Sequence, residues 1–179
     1  MERLGVDIGG VIIEGVCAAA DTSFFSDNYL KTPALPGAIE ALQRLADARF
    51  GENIFLVSKC GARTEARTRE WLSHHLVYAR AGLDPARLHF CRKRHEKAPI
   101  CKDLGITHFI DDRLEVLGYL ESVPNRLLFR PQEAEVAANA RHLPAVTRVE
   151  SWDEVLDCLL GAAPPPSMPP SRRSSKPHL

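Results

Sequence analysis

The sequence predicts an α/β protein in which a doubly wound parallel sheet carries helices on both faces. Short apolar runs of strand length alternate along the 179 residues with longer amphipathic segments of helical period. Three of the apolar runs stop at polar residues, which is typical of strands whose carboxyl ends border a binding site. The alternation predicts one domain over residues 1–161.

Six strands are predicted from the apolar runs, each bounded by polar or turn-forming residues. In chain order they are residues 3–6, 53–57, 87–91, 107–110, 126–129 and 146–149. The first, second and fourth of them stop at Asp7, Ser58 and Asp111. The segments between them are long enough for helical crossovers, so the strands are predicted to be parallel.

Amphipathic segments between the strands predict the helices. The helix over residues 36–48 begins with a proline, which suits a first turn, and repeats Ile39, Leu42 and Leu45 at helical spacing. Gly105 suits a left-handed residue that ends a helix. Further helices are predicted at residues 64–74, 97–104, 113–120, 133–142 and 152–160.

Charge and composition narrow the classes of partner. Lys plus Arg equals Asp plus Glu at 23 each, so no field over the whole chain favours nucleic acid or an anionic membrane. We therefore expect neither specific nucleic-acid binding nor a membrane partner, and the basic run at residues 92–97 is interpreted as a solvated surface. Residues 162–179 are rich in Pro, Ser and Arg and predict a disordered tail.

The cysteines favour a reducing compartment. Five are present, an odd number without CxxC spacing, so neither a disulfide framework nor a structural zinc site is indicated: Cys17, Cys60, Cys91, Cys101 and Cys158. The chain starts without a signal-peptide pattern, and no apolar stretch approaches the roughly 20 residues of a membrane span. A cytoplasmic location is expected.

The strand-end residues have chemistry that suits phosphoryl transfer. Carboxyl ends of neighbouring parallel strands meet at one edge of the sheet, so Asp7, Ser58 and the pair Asp111-Asp112 are expected to converge. Carboxylates are ligands for Mg²⁺, a hydroxyl holds phosphate oxygens, and a lysine such as Lys97 offsets their charge. Asp7 would then attack phosphorus and form an aspartyl-phosphate.

With these residues in this order, the sequence resembles the haloacid dehalogenase superfamily of phosphohydrolases. Asp7 matches the first motif of the superfamily, Ser58 the second, Lys97 the third, and residues 109–113 the fourth. Residues 33–42 are similar to the segment that leads into the second-motif strand in the 5′-nucleotidase and deoxyribonucleotidase branch. The resemblance covers roughly residues 3–130 and implies a Mg²⁺-dependent phosphatase acting on a phosphate monoester, nucleotide-like in this branch.

The resemblance also implies a role for each site residue. Asp7 is the expected nucleophile. The expected metal ligands are the Asp7 carboxylate, the backbone carbonyl of Gly9, Asp111 and Asp112. The expected phosphate-binding residues are Ser58, Lys59 and Lys97.

Gly9 departs from the pattern of the superfamily. Its phosphatases usually carry a second Asp two positions after the nucleophile, which protonates the leaving oxygen and then activates water. A glycine has no side chain for either task, and such help is typically worth about 10²–10⁴-fold in rate. Glu14, His74 and His75 are candidate substitutes, but the sequence does not place any of them beside Asp7.

No sizeable cap domain is expected, because residues 15–33 have room only for a flap and residues 58–97 only for one helix, a loop and one strand. An open site suits a phosphorylated macromolecule as well as a small molecule, or a site covered by a second copy of the chain. Gly9 also leaves a second class of function open, a catalytically impaired phosphate-binding or protein-binding regulatory module. Residues 4–10 resemble the first phosphate loop of actin-like sugar kinases too, but 179 residues cannot supply the two large lobes of those enzymes.

Overall fold

Six strands form a parallel sheet in the computed structural model, which describes residues 1–14 and 24–161. In chain order they are β1 (Leu4–Val6), β2 (Ile54–Lys59), β3 (Leu88–Cys91), β4 (His108–Asp111), β5 (Asn125–Phe129) and β6 (Thr147–Val149). Their order across the sheet is β3-β2-β1-β4-β5-β6, and all neighbours are parallel. The chain therefore winds outward from β1 in one direction, returns to β4, and winds outward in the other.

Seven α-helices lie between or after the strands in the described part of the chain. They are α1 (Ala38–Leu45), α2 (Ala62–His74), α3 (Val77–Ala81), α4 (Lys97–Asp103), α5 (Leu114–Tyr119), α6 (Glu133–Ala138) and α7 (Trp152–Leu160). Shorter turns have 3-10 geometry at Tyr29–Lys31, Pro85–Arg87, Arg94–Glu96 and Ala140–Ala145, and π geometry at Ala46–Phe50. Among the described residues, no helix has the length and apolar character needed to cross a membrane.

The core lies on both faces of the sheet, which confirms the predicted doubly wound architecture. One cluster joins α1 and α7 to side chains such as Ile54 and Leu56 of β2. The other joins α4, α5 and α6 to the alternate residues Phe55 and Val57. Because both faces of the central strands are buried, β1 and most of β2 are apolar runs, whereas the edge strand β6 exposes Thr147 and Arg148.

The turn after β1 is fixed by the backbone and by α7. The carbonyl of Ile8 accepts the N–H groups of Ile12 and Ile13 at 2.8 and 3.0 Å. The buried indole of Trp152, in the first turn of α7, donates to the carbonyl of Val11 at 2.8 Å. Helix α7, the last helix of the described chain, thus holds in place the turn that follows Asp7.

The structure differs from the sequence prediction at several elements. Helix α3 was not predicted, and the helix predicted at 133–142 is divided into α6 and a 3-10 turn that begins at Ala140. Strands β2 and β4 continue into their polar residues, so Ser58, Lys59 and Asp111 belong to the strands instead of following them. Cys17 and the tail predicted at 162–179 lie outside the described residues.

Candidate active site

The predicted site residues meet at the carboxyl edge of the sheet, where β1 lies between β2 and β4. The backbone N–H of Asp7 donates to the carbonyl of Ile110 at 3.0 Å, which ties the end of β1 to β4. Ser58 and Lys59 end β2 on the other side of β1. The chain reverses its winding direction here, and ligands of open α/β sheets bind at such a switch point.

A cavity of about 320 Å³ opens at this edge. All the residues predicted for the site line it: Asp7, Gly9, Ser58, Lys59, Lys97, Asp111 and Asp112. The predicted convergence of three strand ends is therefore present in the structure.

Lys97 connects two of the carboxylates. Its Nζ lies 2.7 Å from Oδ2 of Asp111 and 3.0 Å from Oδ1 of Asp7, and all three residues are buried. Burial by itself would lower the pKa of the Lys97 ammonium, but the neighbouring Asp111 and Asp7 outweigh it and raise that pKa. A buried charge is stable only when it is paired in this way, so Lys97 stays charged at the centre of the site.

Three carboxylates surround this single ammonium. One oxygen from each of Asp7, Asp111 and Asp112 lies within 4.8 Å of the others. Asp111 is satisfied by Lys97 and by the backbone N–H of Arg113, which donates to Oδ1 at 3.0 Å. In the described part of the chain, the Asp112 side chain has no hydrogen-bond partner.

The protonation of this cluster reflects its excess negative charge. Burial raises the pKa of Asp112 to about 8, and the nearby Asp111 and Asp7 add to the effect. Burial also raises the pKa of Asp111, to about 6, against the opposing influence of Lys97. A hard divalent cation with oxygen ligands would relieve this repulsion, so the donor set fits Mg²⁺.

Gly10 allows the backbone to lie close to Asp112. Its φ is +78°, in the left-handed region, and a Cβ added there would lie 2.6 Å from Oδ2 of Asp112. Only glycine combines that conformation with so close an approach. Gly9 is different, because an added Cβ would meet no atom within 4 Å and its φ is not left-handed. The backbone at position 9 therefore accepts a side chain.

One wall of the cavity is formed by the end of β2 and the start of α2. Ser58 is buried, whereas Lys59 is exposed at the cavity wall. Helix α2 begins at Ala62 without a side-chain cap and contributes Thr64 to the wall. The uncapped amino end of a helix favours an anion nearby, because its N–H groups and its dipole are both positive there.

Backbone N–H groups around the cavity are engaged by other parts of the chain. The N–H of Cys60 donates to the carbonyl of Cys91 at 3.0 Å. The N–H groups of the first two α5 residues donate to the carboxylate of Glu135, at 3.0 and 2.8 Å.

The three candidate proton carriers lie in different places. Glu14 lines the cavity. His75 stacks on Trp71 with ring centroids 4.2 Å apart and has Nε2 2.8 Å from the carbonyl of Leu30. His74 is exposed in the last turn of α2. Neither histidine lines the cavity.

Some residues of the wall were not singled out by the sequence. Thr64 and Thr68 lie one turn apart on α2, and the only signal for them is this spacing after the second predicted strand. Arg94 lines the cavity and pairs with Glu115 at 2.9 Å, although it belongs to the basic run interpreted as solvated. Gln132 precedes α6 and had no signal in the sequence.

The chain matches no model of a known protein family, and a search of curated proteins finds no relative. What the fold and the site define is an α/β protein with a carboxylate–lysine pocket at its switch point. The resemblance to the haloacid dehalogenase superfamily stays a prediction that depends on the site residues themselves.

Proposed function

We propose that this protein is a Mg²⁺-dependent phosphohydrolase that cleaves phosphate monoesters through an aspartyl-phosphate, in the manner of the haloacid dehalogenase superfamily. The observation that carries the proposal is the buried Lys97, which bridges Asp7 and Asp111 at the switch point of the sheet. An ion pair with only a structural role has no need to lie beside a cavity that also presents a hydroxyl group. Here Ser58 and Asp112 line the same cavity.

Each residue has a separate task in this proposal. Ser58, Lys59 and Lys97 bind the phosphate oxygens and balance their charge. Asp7 is the nucleophile, and Lys97 holds its carboxylate in place through the contact at 3.0 Å. Asp7, Asp111, Asp112 and the carbonyl of Gly9 would hold Mg²⁺, which supplies electrostatic stabilisation of the transferring group when it is bound.

The substrate is proposed to be a phosphorylated small molecule or macromolecule, nucleotide-like by the resemblance to the nucleotidase branch. In the described residues, the segments that follow β1 and β2 contain only short helices and turns, and none is large enough to be a separate lid. A second copy of the chain is a further candidate cover. A cytoplasmic setting is part of the proposal, in keeping with the four free cysteines of the described residues.

The test is hydrolysis of para-nitrophenyl phosphate by the purified chain with Mg²⁺. Asp7→Asn keeps the shape of the side chain but removes the nucleophile, so activity should fall by about 10⁴-fold or more. Asp47→Asn, at an exposed position in the π turn, is the matched control and should keep full activity. Equal activity in Asp7→Asn and the wild type would show that the hydrolysis comes from elsewhere.

Gly9 favours a second candidate, a regulatory module that binds phosphate or a protein partner but turns over slowly or not at all. The metal and phosphate residues do not depend on a side chain at position 9. Calorimetric titration with inorganic phosphate distinguishes the two functions. Mg²⁺-dependent phosphate binding without hydrolysis supports the regulatory module. Absence of phosphate binding would show that phosphate is not the ligand of such a module.

A further inference from the structure

Glu14 differs from every other acidic residue of the cavity. Of the described residues that line it, four are acidic, and three of these form the carboxylate cluster. Glu14 is the fourth, and it is exposed. No histidine of the described chain lines the cavity. Glu14 is thus the one carboxylate there outside the nucleophile and metal positions.

The backbone fixes Glu14 to the turn that contains Gly9. Ile13, the preceding residue, forms bridges with Gly9 on one side and Ala34 on the other. The N–H of Glu14 donates to the carbonyl of Pro33 at 3.1 Å. A Cβ added at Gly9 would have no atom within 4 Å. No described atom therefore fills the position that a side chain at residue 9 would take.

Other carboxylates close to this edge of the sheet are already engaged. Glu65 pairs with Arg92 at 2.6 Å and with Arg69 at 3.0 Å. Glu115 pairs with Arg94, and Glu135 accepts two backbone N–H groups of α5. Among the described residues, the Glu14 carboxylate has no such partner.

We infer that Glu14 carries the protons of the proposed hydrolysis in place of the side chain that Gly9 lacks. The inference depends on the proposed function and adds a catalytic residue to it. In the first step Asp7 forms a bond to phosphorus, the ester P–O bond breaks, and the proton of Glu14 passes to the leaving oxygen. In the second step Glu14 takes a proton from water, whose oxygen bonds to phosphorus while the Asp7–phosphorus bond breaks and inorganic phosphate leaves.

The experiment compares two substrates in Glu14→Gln. An alkyl phosphate such as glycerol 2-phosphate needs a proton on its leaving oxygen, whereas the nitrophenolate of para-nitrophenyl phosphate leaves without one. We expect kcat/KM for the alkyl phosphate to fall by about 10²–10⁴-fold and kcat/KM for the aryl phosphate to change little. Aryl phosphate should also give a burst of one equivalent of nitrophenolate, because the aspartyl-phosphate accumulates when water is not activated.

Two further variants make the test specific. Gly9→Asp in the Glu14→Gln background should restore alkyl phosphate hydrolysis, because position 9 accepts a side chain. Glu40→Gln, on the exposed face of α1, should behave as the wild type. Unchanged alkyl-to-aryl selectivity in Glu14→Gln would overturn the inference.

Failure of the proposed function has a different signature. In that case the wild type shows no Mg²⁺-dependent hydrolysis of the aryl phosphate, or shows hydrolysis that Asp7→Asn does not remove. Both proposals are then wrong. An active wild type with an unaffected Glu14→Gln variant overturns only the role of Glu14.

Discussion

Removal of the Lys97 charge should destabilise the folded state. It is buried with two carboxylates at 2.7 and 3.0 Å. Lys97→Met leaves those carboxylates without their cation, and breaking a buried ion pair costs about 3–5 kcal/mol. We expect a loss of unfolding free energy of that order in urea denaturation of the metal-free protein.

The matched control for this prediction is Lys93→Met. Lys93 lies four residues earlier and is exposed, so its substitution should change the unfolding free energy by no more than about 0.5 kcal/mol. Equal effects of the two substitutions would contradict a structural role for the Lys97 ion pairs.

Substitution by alanine should lower the unfolding free energy at Gly10 but leave it almost unchanged at Gly9. Gly10→Ala forces a Cβ to 2.6 Å from Oδ2 of Asp112 and keeps a left-handed residue, which costs roughly 1–2 kcal/mol before the contact is counted. Gly9→Ala meets no atom and should lie within about 0.5 kcal/mol of the wild type. Urea denaturation of both variants tests this, and a larger loss in Gly9→Ala would contradict the geometry of the turn.

Asp112 predicts how the stability of the metal-free protein depends on pH. Its pKa is raised from an ordinary value of 3.8 to about 8, so the folded state holds a proton that the unfolded chain has released. Between these values the unfolding free energy falls as pH rises, with a slope approaching about 1.4 kcal/mol per pH unit for one group. Unfolding measured from pH 5 to 8 should show this decline.

Asp112→Asn is the variant that tests the assignment, since it cannot titrate. It should flatten the decline between pH 6 and 8, above the raised pKa of Asp111, whereas the exposed Asp47→Asn should leave the decline as in the wild type. A decline that persists unchanged in Asp112→Asn would assign the titration to another group.

The sequence could identify residues whose type agrees with a strand-end position or with the order of the motifs. Asp7, Ser58 and Asp111 each end an apolar run, and the order of the motifs selected Lys97 from a basic run. Contacts that depend on the path of the backbone have no such signal. The N–H of Cys60 is taken by β3, and this follows only from the pairing of two strands far apart in the chain.

At the scale of elements, the central strands β1, β2 and β4 were predictable because they are buried on both faces, whereas β6 at the edge exposes two of its three residues. All six predicted strands are present, with ends displaced by a few residues at most. Helix α3 was not predictable, since it has only five residues and follows Leu76, whose φ of +54° is unusual for leucine. The division after α6 also has a local cause, because the side chain of Asn139 donates to the carbonyl of Glu135 and competes with helical hydrogen bonds.

Glu135 gives a prediction for α5, a helix of only six residues. Its carboxylate accepts the N–H groups of Leu114 and Glu115, which no intrahelical carbonyl satisfies. Glu135→Ala should therefore cost about 1 kcal/mol of unfolding free energy, as the loss of a helix cap does. Since α5 contributes Val116 to the cavity, the variant should also weaken phosphate binding.

Glu133→Ala is the control for Glu135→Ala because it makes the same chemical change on the same helix. Glu133 pairs only with Arg148 at the surface, and exposed ion pairs contribute about 0.2–1 kcal/mol. Phosphate binding should be unchanged in this variant. Equal losses of both stability and binding in the two variants would contradict the capping role of Glu135.

At the scale of the whole molecule, the topology places the site. Residues 7, 58 and 111 are far apart in the chain, and they meet because β1 lies between β2 and β4. The same order puts the two halves of the core on opposite faces of the sheet. The sheet edge thus positions the charged groups, while the fold itself does not determine what binds there.

The same arrangement predicts that Mg²⁺ stabilises the whole fold. The three carboxylates come together only in the folded state, so a cation that binds them shifts the unfolding equilibrium by mass action. At a Mg²⁺ concentration 100 times the dissociation constant the gain is about 2.7 kcal/mol, measurable as a higher urea midpoint above pH 8, where Asp112 is ionised. NaCl at matched ionic strength should not reproduce the gain, because screening acts on exposed charges.

Asp112→Asn should lose most of the stability gained from Mg²⁺. An equal gain in that variant would place the ion elsewhere, and no gain in the wild type would show that this carboxylate cluster does not bind Mg²⁺.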